Sequence, residues 1–331
     1  MTVDALEFEE PVAILQKEIQ AMRLMPPTAE RLASIERVDA RVRELRAEIF
    51  SHLTPWQRVL VARHADRPVM LDYVGRLFTG FTELHGDRRF GDDKAIVTGM
   101  AHFHGQPVFI VGHQKGSDTK QKIYRNFGYA KPEGYRKALR VMRLAEKFKQ
   151  PVIVFVDTPA AFPGVESEER GVAEAIALNL REMALLDTSI IVVVSGEGGS
   201  GGALGIAIGD RILMQEFAVF SVIPPEGCAA ILWRDSARKV EAAEALKITA
   251  PDLLAMQVID EIVPEPLGGA HQDHAAATAL LDEAISRHLA QVSALSGADR
   301  LEARYQKFRS IGRPDHAFTD ESADAAATPA E

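Results

Sequence analysis

The chain has 331 residues, of which 47% are hydrophobic and 26% charged, a composition typical of a globular protein with a large core. Its formal net charge of −9 does not favour nucleic acid as a general partner. The single cysteine, Cys228, excludes an intrachain disulfide and a cysteine-rich zinc site within these residues. The N-terminus has no signal-peptide pattern and no apolar run reaches membrane-spanning length, so the sequence predicts a cytoplasmic protein.

Residues 1–54 are predicted to form a helical region. Apolar residues recur at spacings of three and four on both sides of Pro26-Pro27, which is typical of two amphipathic helices. We expect an antiparallel helical hairpin that packs on the main body. A dimerisation arm is the alternative, and the pattern does not separate the two.

Residues 55–311 are predicted to form the main domain, an α/β body in which strands and helices alternate. The predicted elements are a β-hairpin over 95–112, a helix over 134–149, a buried strand over 152–156, a long helix over about 168–186 and a buried strand over 190–194. This order indicates repeated strand-strand-helix units. Residues 312–331 lack apolar periodicity, and the sequence predicts that they form a disordered tail.

A glycine-rich turn after the last of these strands is the most informative segment. It reads Gly196-Glu-Gly-Gly-Ser-Gly-Gly202, and the segment from Ala203 to Ile208 is predicted to be the start of a helix. Bare backbone N–H groups at such a turn bind phosphate or stabilise a developing oxyanion. The run also fits G-x-G-x-x-G, the dinucleotide fingerprint, and G-x-S-x-G, the nucleophile elbow with Ser200 as nucleophile. From this run alone, these functions and a turn without chemistry all stay open.

Basic residues are concentrated between His113 and Arg140, in a chain that is otherwise acidic. The first part of this segment is a glycine-bounded loop that directly follows a predicted strand, which favours an anion site. The candidate anion-binding residues are Lys115, Lys120, Lys122 and Arg125. The histidines form no cluster with the spacing of a metal site, so no metal ligand is predicted.

Three loops together resemble one family. They are Gly112-His-Gln-Lys-Gly116, Asp157-Thr-Pro-Ala-Ala-Phe-Pro-Gly164, and the glycine turn followed by Ser221-Val-Ile-Pro-Pro-Glu-Gly-Cys-Ala-Ala-Ile-Leu-Trp233. The chain resembles the carboxyltransferase alpha subunit of bacterial acetyl-CoA carboxylase from about Phe8 to Arg309. In one departure, Ala160 replaces the first glycine of the family loop D-T-P-G-A-Y/F-P-G. Its Cβ reduces the range of backbone φ/ψ conformations that this position can adopt.

The resemblance implies a crotonase-like fold and a transferase of fatty acid synthesis. Its reaction moves a carboxyl group from carboxybiotin on a carrier protein to acetyl-CoA, forming malonyl-CoA. Such catalysis needs oxyanion holes rather than a protein general base. With this resemblance, the expected donors to the biotin ureido oxygen are Gly201, Gly202 and Ala203. Gly198 and Gly199 are expected to permit the turn, and the residues expected to shape the biotin pocket are Phe162, Pro163 and Gly164.

The resemblance also implies partners. We expect no tightly bound cofactor in this chain, zinc in a beta subunit, and a heterotetramer of two alpha and two beta chains. Biotin carboxyl carrier protein and biotin carboxylase complete the expected complex. Two alternatives stay open: another crotonase-superfamily enzyme, such as an enoyl-CoA hydratase or isomerase that uses Glu197 or Glu226, and a non-catalytic scaffold subunit.

Overall fold

Eight strands form one mixed sheet in the computed structural model, which describes residues 6–312. The strands are β1 (Thr79–Glu83), β2 (Ile96–Phe103), β3 (Gln106–His113), β4 (Val152–Thr158), β5 (Ile190–Gly199), β6 (Arg211–Gln215), β7 (Val219–Ser221) and β8 (Glu261–Val263). Their order is β1-β2-β3-β4-β5-β6-β8, and β7 pairs with the end of β5. The first three strands pair antiparallel, and all later pairs are parallel.

Helices precede the sheet, connect its strands and follow it. The α-helices among the described residues are α1 (Glu10–Arg23), α2 (Ala29–Ser51), α3 (Pro55–Ala62), α4 (Met70–Leu77), α5 (Thr119–Tyr124), α6 (Pro132–Lys147), α7 (Val165–Glu169), α8 (Val172–Leu185), α9 (Ser200–Leu204), α10 (Pro225–Trp233), α11 (Lys239–Leu246), α12 (Ala250–Ala255), α13 (His274–Ser293) and α14 (Gly297–Ser310). Within residues 6–312, no helix combines the length and the apolar character that crossing a membrane requires.

The sheet is buried on both faces. Successive side chains of a strand point to opposite faces. In β5, Ile190, Val192 and Val194 join the core that α6 and α8 cover, whereas Ile191 and Val193 join the core under α4 and α13. This double burial explains why the central strands are continuous apolar runs, and it confirms the predicted α/β body.

The N-terminal helices form the predicted hairpin. Val12 and Ile19 of α1 pack against Val42 of α2. At the base of the hairpin, Phe50 contacts Phe217 of the main body edge-on, with ring centroids 5.4 Å apart. The expectation that the hairpin packs on the body is therefore confirmed at this end.

Three predicted boundaries were wrong. The helix expected over 168–186 is interrupted at Gly171, whose φ of 75° cannot continue a right-handed helix, so α7 and α8 are separate. The strand before the glycine turn continues to Gly199, because Glu197–Gly199 pair with β7. As a result, α9 begins at Ser200 and not at the predicted Ala203, and it already ends at Leu204. Of the predicted tail, residues 313–331 lie outside the described residues.

Candidate functional site

Three loops meet at the carboxyl ends of β3, β4 and β5. These strands are parallel neighbours, so their carboxyl ends lie at the same edge of the sheet. The loop at Gln114–Gly116 follows β3, residues 159–164 follow β4, and α9 follows β5. The fold therefore brings together the three motifs that the sequence singled out.

Two glycines of the turn touch the backbone of the β4 loop. A Cβ atom added to Gly199 would lie 1.8 Å from the carbonyl oxygen of Pro159, and one added to Gly202 would lie 2.3 Å from the amide nitrogen of Ala161. A Cβ on Gly201 would instead meet Ile176 Cδ1 at an ordinary 3.7 Å. Close approach therefore requires glycine at 199 and 202 but not at 201.

The predicted donors Gly201, Gly202 and Ala203 lie in the first turn of α9. The first N–H groups of a helix lack partners within it. Among the described residues, none of these three N–H groups makes a well-formed hydrogen bond to another loop or to a side chain. Gly201 is half-buried and the other two residues are buried. Gly201 and Gly202, the second and third residues of α9, thus retain N–H groups without a partner inside the helix, as an oxyanion hole requires.

Buried side chains hold the opposite side of this turn. The Tyr135 hydroxyl donates to the Gly202 carbonyl oxygen over 3.2 Å, and Asn179 Nδ2 donates to the Gly205 carbonyl oxygen over 2.8 Å. The fully buried ring of His113 lies against the Gly202 backbone, and burial lowers the pKa of His113 to about 3. Since a peptide is planar, fixing the Gly202 carbonyl also fixes the Ala203 N–H.

Sequence reasoning missed Tyr135 and Asn179, because both occupy ordinary core positions of predicted helices. One usable signal was present. An asparagine on an apolar helix face needs buried hydrogen-bond partners, and Asn179 finds them in two backbone carbonyls.

An ion-pair network lies directly beneath the turn. Lys115 Nζ is 2.7 Å from both Asp157 Oδ1 and Glu197 Oε2, and Arg63 Nε is 2.5 Å from Glu197 Oε1. Asp157 Oδ1 also accepts the N–H of Glu197 over 2.9 Å. The network joins β4 and β5, which carry Asp157 and Glu197, to the loop after β3, which carries Lys115.

This network keeps Glu197 ionised. Burial alone would raise the pKa of Glu197, but the charges of Lys115 and Arg63 outweigh burial and lower it to about 2. A general acid or base works best with a pKa near the operating pH. Glu226 pairs with Arg63 over 2.6 Å. The hydratase alternative, which needs one of these glutamates for proton transfer, is thereby disfavoured.

The four candidate anion-binding residues occupy different environments. Lys115 points inward, where burial would lower its pKa but Asp157 and Glu197 raise it, so its charge is already compensated. Lys120 and Lys122 lie on α5, the first exposed and the second half-buried. Arg125 donates to the Lys94 carbonyl and lies over the Tyr124 ring. We therefore assign Lys115 a structural role and leave the other three as a prediction.

The β4 loop has a defined conformation. Phe162 N donates to the Ala130 carbonyl over 2.9 Å, and Lys131 Nζ lies 5.1 Å from the centroid of the Phe162 ring. A Cβ on Gly164 would lie 2.3 Å from this ring, and Pro163 is exposed. Ala160 does not adopt a positive φ, so alanine fits there without left-handed strain. The role of Phe162, Pro163 and Gly164 as a biotin pocket stays a prediction.

Ser200 occupies a strained position, with φ of 52°. Among the described residues, no histidine or carboxylate hydrogen-bonds to its hydroxyl, so the nucleophile elbow lacks its base. We expect Ser200→Ala to retain carboxyl transfer within about threefold, and Ser200→Gly to stabilise the chain by about 0.5–1 kcal/mol by relieving the left-handed strain. Transfer assays and urea unfolding measure these effects. A loss of several orders of magnitude in a folded Ser200→Ala variant would restore the serine nucleophile.

Residues 5–312 match the family model described as acetyl co-enzyme A carboxylase carboxyltransferase-like. The chain belongs to this family. The acetyl-coenzyme A carboxylase carboxyl transferase subunit alpha of Geobacter metallireducens is 58% identical over 309 residues, which are 93% of this chain and 97% of that protein. The subunit of the same name from Geobacter sulfurreducens is 61% identical over 273 residues, 82% of this chain and 86% of that protein. The family resemblance and the predicted carboxyltransferase function are confirmed.

Solved structures share the fold. A chain of the Pseudomonas malonate decarboxylase hetero-tetramer in complex with coenzyme A is similar with a TM-score of 0.57 and 17% identity, over 77% of this chain and 96% of that chain. Transcarboxylase 12S, with methylmalonyl-coenzyme A and methylmalonic acid bound, is similar with a TM-score of 0.53 and 20% identity. The match covers 74% of this carboxyltransferase chain but 43% of the transcarboxylase chain. The predicted crotonase-like fold is confirmed.

Proposed function

We propose that this alpha subunit supplies the carboxybiotin half of the active site of an acetyl-CoA carboxylase carboxyltransferase. The observation that carries the proposal is the α9 turn: among the described residues its first N–H groups make no hydrogen bond to another loop, and its Gly202 packs closely against the β4 loop. The carboxyltransferase reaction is inferred from family membership. The glycine turn is the part of this chain whose geometry fits that reaction.

The reaction creates negative charge on two oxygens. When the carboxyl group leaves carboxybiotin as CO2, the bonding electron pair stays on the biotin ureido group, whose oxygen becomes anionic. That anion takes a proton from the acetyl methyl group, and the resulting enolate attacks CO2 to give malonyl-CoA. No proton or electron from outside is needed, so the reaction requires stabilised oxyanions rather than a protein base.

In this proposal, the N–H groups of Gly201, Gly202 and Ala203 donate to the ureido oxygen. Loss of one such donor commonly costs about 3–4 kcal/mol of the activation barrier. Tyr135, Asn179 and the Lys115 network support the donors by holding the turn from behind. Since rigid donors need no reorganisation during the reaction, this support contributes to catalysis without contacting substrate.

The rest of the active site belongs to partners. We infer a beta subunit that binds the acetyl-CoA thioester and carries the zinc, in a heterotetramer of two alpha and two beta chains. The carboxyl carrier protein would deliver carboxybiotin, and biotin carboxylase would charge it in the cytoplasm.

Reconstitution tests this function. The purified alpha chain alone should not decarboxylate malonyl-CoA in the presence of free biotin, whereas the chain mixed with the beta subunit should, because each chain carries half of the oxyanion stabilisation. Each subunit alone is the control. Biotin-dependent turnover by the alpha chain alone would contradict the two-subunit site, and biotin-independent hydration of an enoyl-CoA would favour the hydratase.

A further inference from the structure

A basic groove of about 500 Å³ runs along the outer face of α6. Its charged lining residues are Arg88, Arg89, Arg136, Arg140, Arg143 and Lys147, together with Asp87. None of them belongs to the glycine turn or to the loops that surround it. The groove is therefore a separate feature of the molecule.

Two guanidinium groups in this groove converge on one oxygen. Arg88 Nη1 donates to the His85 carbonyl over 3.0 Å, and Arg140 Nη2 donates to the same oxygen over 3.2 Å. The two nitrogens are consequently no more than about 6 Å apart. Burial and the neighbouring charge of Arg88 lower the pKa of Arg140, and the charges of Asp92 and Asp87 offset this lowering only in part. Like charges at this separation repel one another unless an anion joins them.

The groove has few negative charges of its own. Asp87 pairs with Arg136 over 2.9 Å, and Arg143 pairs with Glu182 over 2.6 Å. In the part of the chain that the structure describes, no carboxylate lies within ion-pair distance of the remaining four cations, which are Arg88, Arg89, Arg140 and Lys147. The groove thus keeps an excess of positive charge, although the whole chain is acidic.

The loop that carries Arg88 is held rigidly. Asp87 Oδ1 accepts the backbone N–H groups of residues 89, 90 and 91 over 2.8–3.0 Å. Arg88 itself has φ of 63°, a left-handed conformation that is unfavourable for a non-glycine residue. Strain of this kind persists where the surrounding structure enforces it, and it is common at binding sites.

Arg140 is similarly fixed, because its Nε also donates to the Gly86 carbonyl over 3.0 Å. These two bonds occupy Nε and one N–H of Nη2, and within residues 6–312 Nη1 makes no hydrogen bond. A guanidinium that is already positioned loses little conformational entropy when it binds a ligand.

We propose that this groove binds a small polyphosphate group at Arg88 and Arg140. Guanidinium groups match phosphate oxygens in geometry and charge, and several fixed cations suit a ligand with more than one phosphate. A volume of about 500 Å³ lies in the range of small-molecule sites. The same group could come from free pyrophosphate or from a nucleotide, which also offers a base and a ribose.

Calorimetric titration of the full-length chain and of the reconstituted complex tests the site. Inorganic pyrophosphate and ADP are the probes, and the expected result is saturable binding at one site per alpha chain that weakens with added salt. Tighter binding of ADP would identify the source as a nucleotide, and equal binding would identify the polyphosphate group alone as the ligand. Saturation by neither probe would overturn the proposal.

Three variants locate the site. Arg88→Gln and Lys147→Gln replace exposed cations of the groove and should each weaken pyrophosphate binding by about tenfold or less, with the larger effect at Arg88. Arg43→Gln, an exposed arginine on α2, is the matched control and should change affinity by less than about twofold. Equal losses in all three would show non-specific charge attraction. Binding of a polyglutamate peptide or RNA at these residues, without pyrophosphate binding, would also contradict the proposal.

Discussion

Gly202→Ala in the reconstituted complex is expected to lower the rate of carboxyl transfer at least about 100-fold. The added Cβ would lie 2.3 Å from the Ala161 nitrogen and 2.4 Å from the Ala160 carbonyl carbon, and backbone atoms cannot move away as a flexible side chain can. The turn must therefore shift against the β4 loop, which displaces the neighbouring N–H groups. A displacement of about 1 Å is enough to weaken an oxyanion hole severely.

Gly201→Ala is the matched control for this experiment. It adds the same methyl group one residue earlier, where the nearest atom is Ile176 Cδ1 at 3.7 Å, and it leaves every N–H in place. We expect its transfer rate to stay within about threefold of the unmodified complex. Size-exclusion chromatography and thermal unfolding would verify that both variants assemble. Normal transfer by an assembled Gly202→Ala complex would show that the hole lies elsewhere.

Lys115→Met is expected to destabilise the chain by about 3–5 kcal/mol, since it leaves Glu197 and Asp157 buried without their shared cation. Methionine has a similar length, so the loss is mainly electrostatic. Lys120→Met, on the exposed surface of α5, is the control and should change stability by less than about 0.5 kcal/mol. Urea unfolding at neutral pH measures both. Equal stabilities would contradict the structural role that the ion pairs give to Lys115.

The same network predicts an acid-sensitive step in stability. The pKa of Glu197 is about 2 in the folded chain, below its ordinary value of 4.5. A depressed pKa stabilises the folded state above the unfolded pKa, and this stabilisation is lost as the pH falls from about 4.5 towards 2. Its full size is about 3 kcal/mol. Glu197→Gln removes the titrating group, so its stability should fall less steeply over this range. Parallel curves for both proteins would contradict the assignment.

Much of the fold follows from pattern in the sequence. The apolar run at 190–194 and the hairpin turn at Gly105 are local signals, and the structure has strands there. The strand boundary that was wrong depends on a distant partner. β5 extends to Gly199 because β7, which begins 20 residues later at Val219, pairs with its end. No local pattern near the glycines predicts that pairing.

The candidate site divides in the same way. Each of the three loop motifs is a continuous run of residues, so each could be found in the sequence alone. Lys115 illustrates what it could not reveal: a lysine in a glycine-bounded loop is equally compatible with binding a ligand and with pairing internally. Which of these two roles Lys115 has depends on Asp157 and Glu197, which lie 42 and 82 positions away in the chain. Tertiary contacts of this kind define the support of the turn and leave no signature in a single sequence.

The most direct test of the central claim is to measure separately how the assembled Gly202→Ala complex binds acetyl-CoA and how it uses biotin. Acetyl-CoA binding to the assembled variant complex should be measured by calorimetry beside its biotin-dependent decarboxylation of malonyl-CoA. If the turn serves carboxybiotin, the affinity for acetyl-CoA should stay within about twofold, while decarboxylation falls with the carboxyl-transfer rate. Loss of acetyl-CoA binding with unchanged use of biotin would contradict this account, because the glycine turn would then serve the thioester.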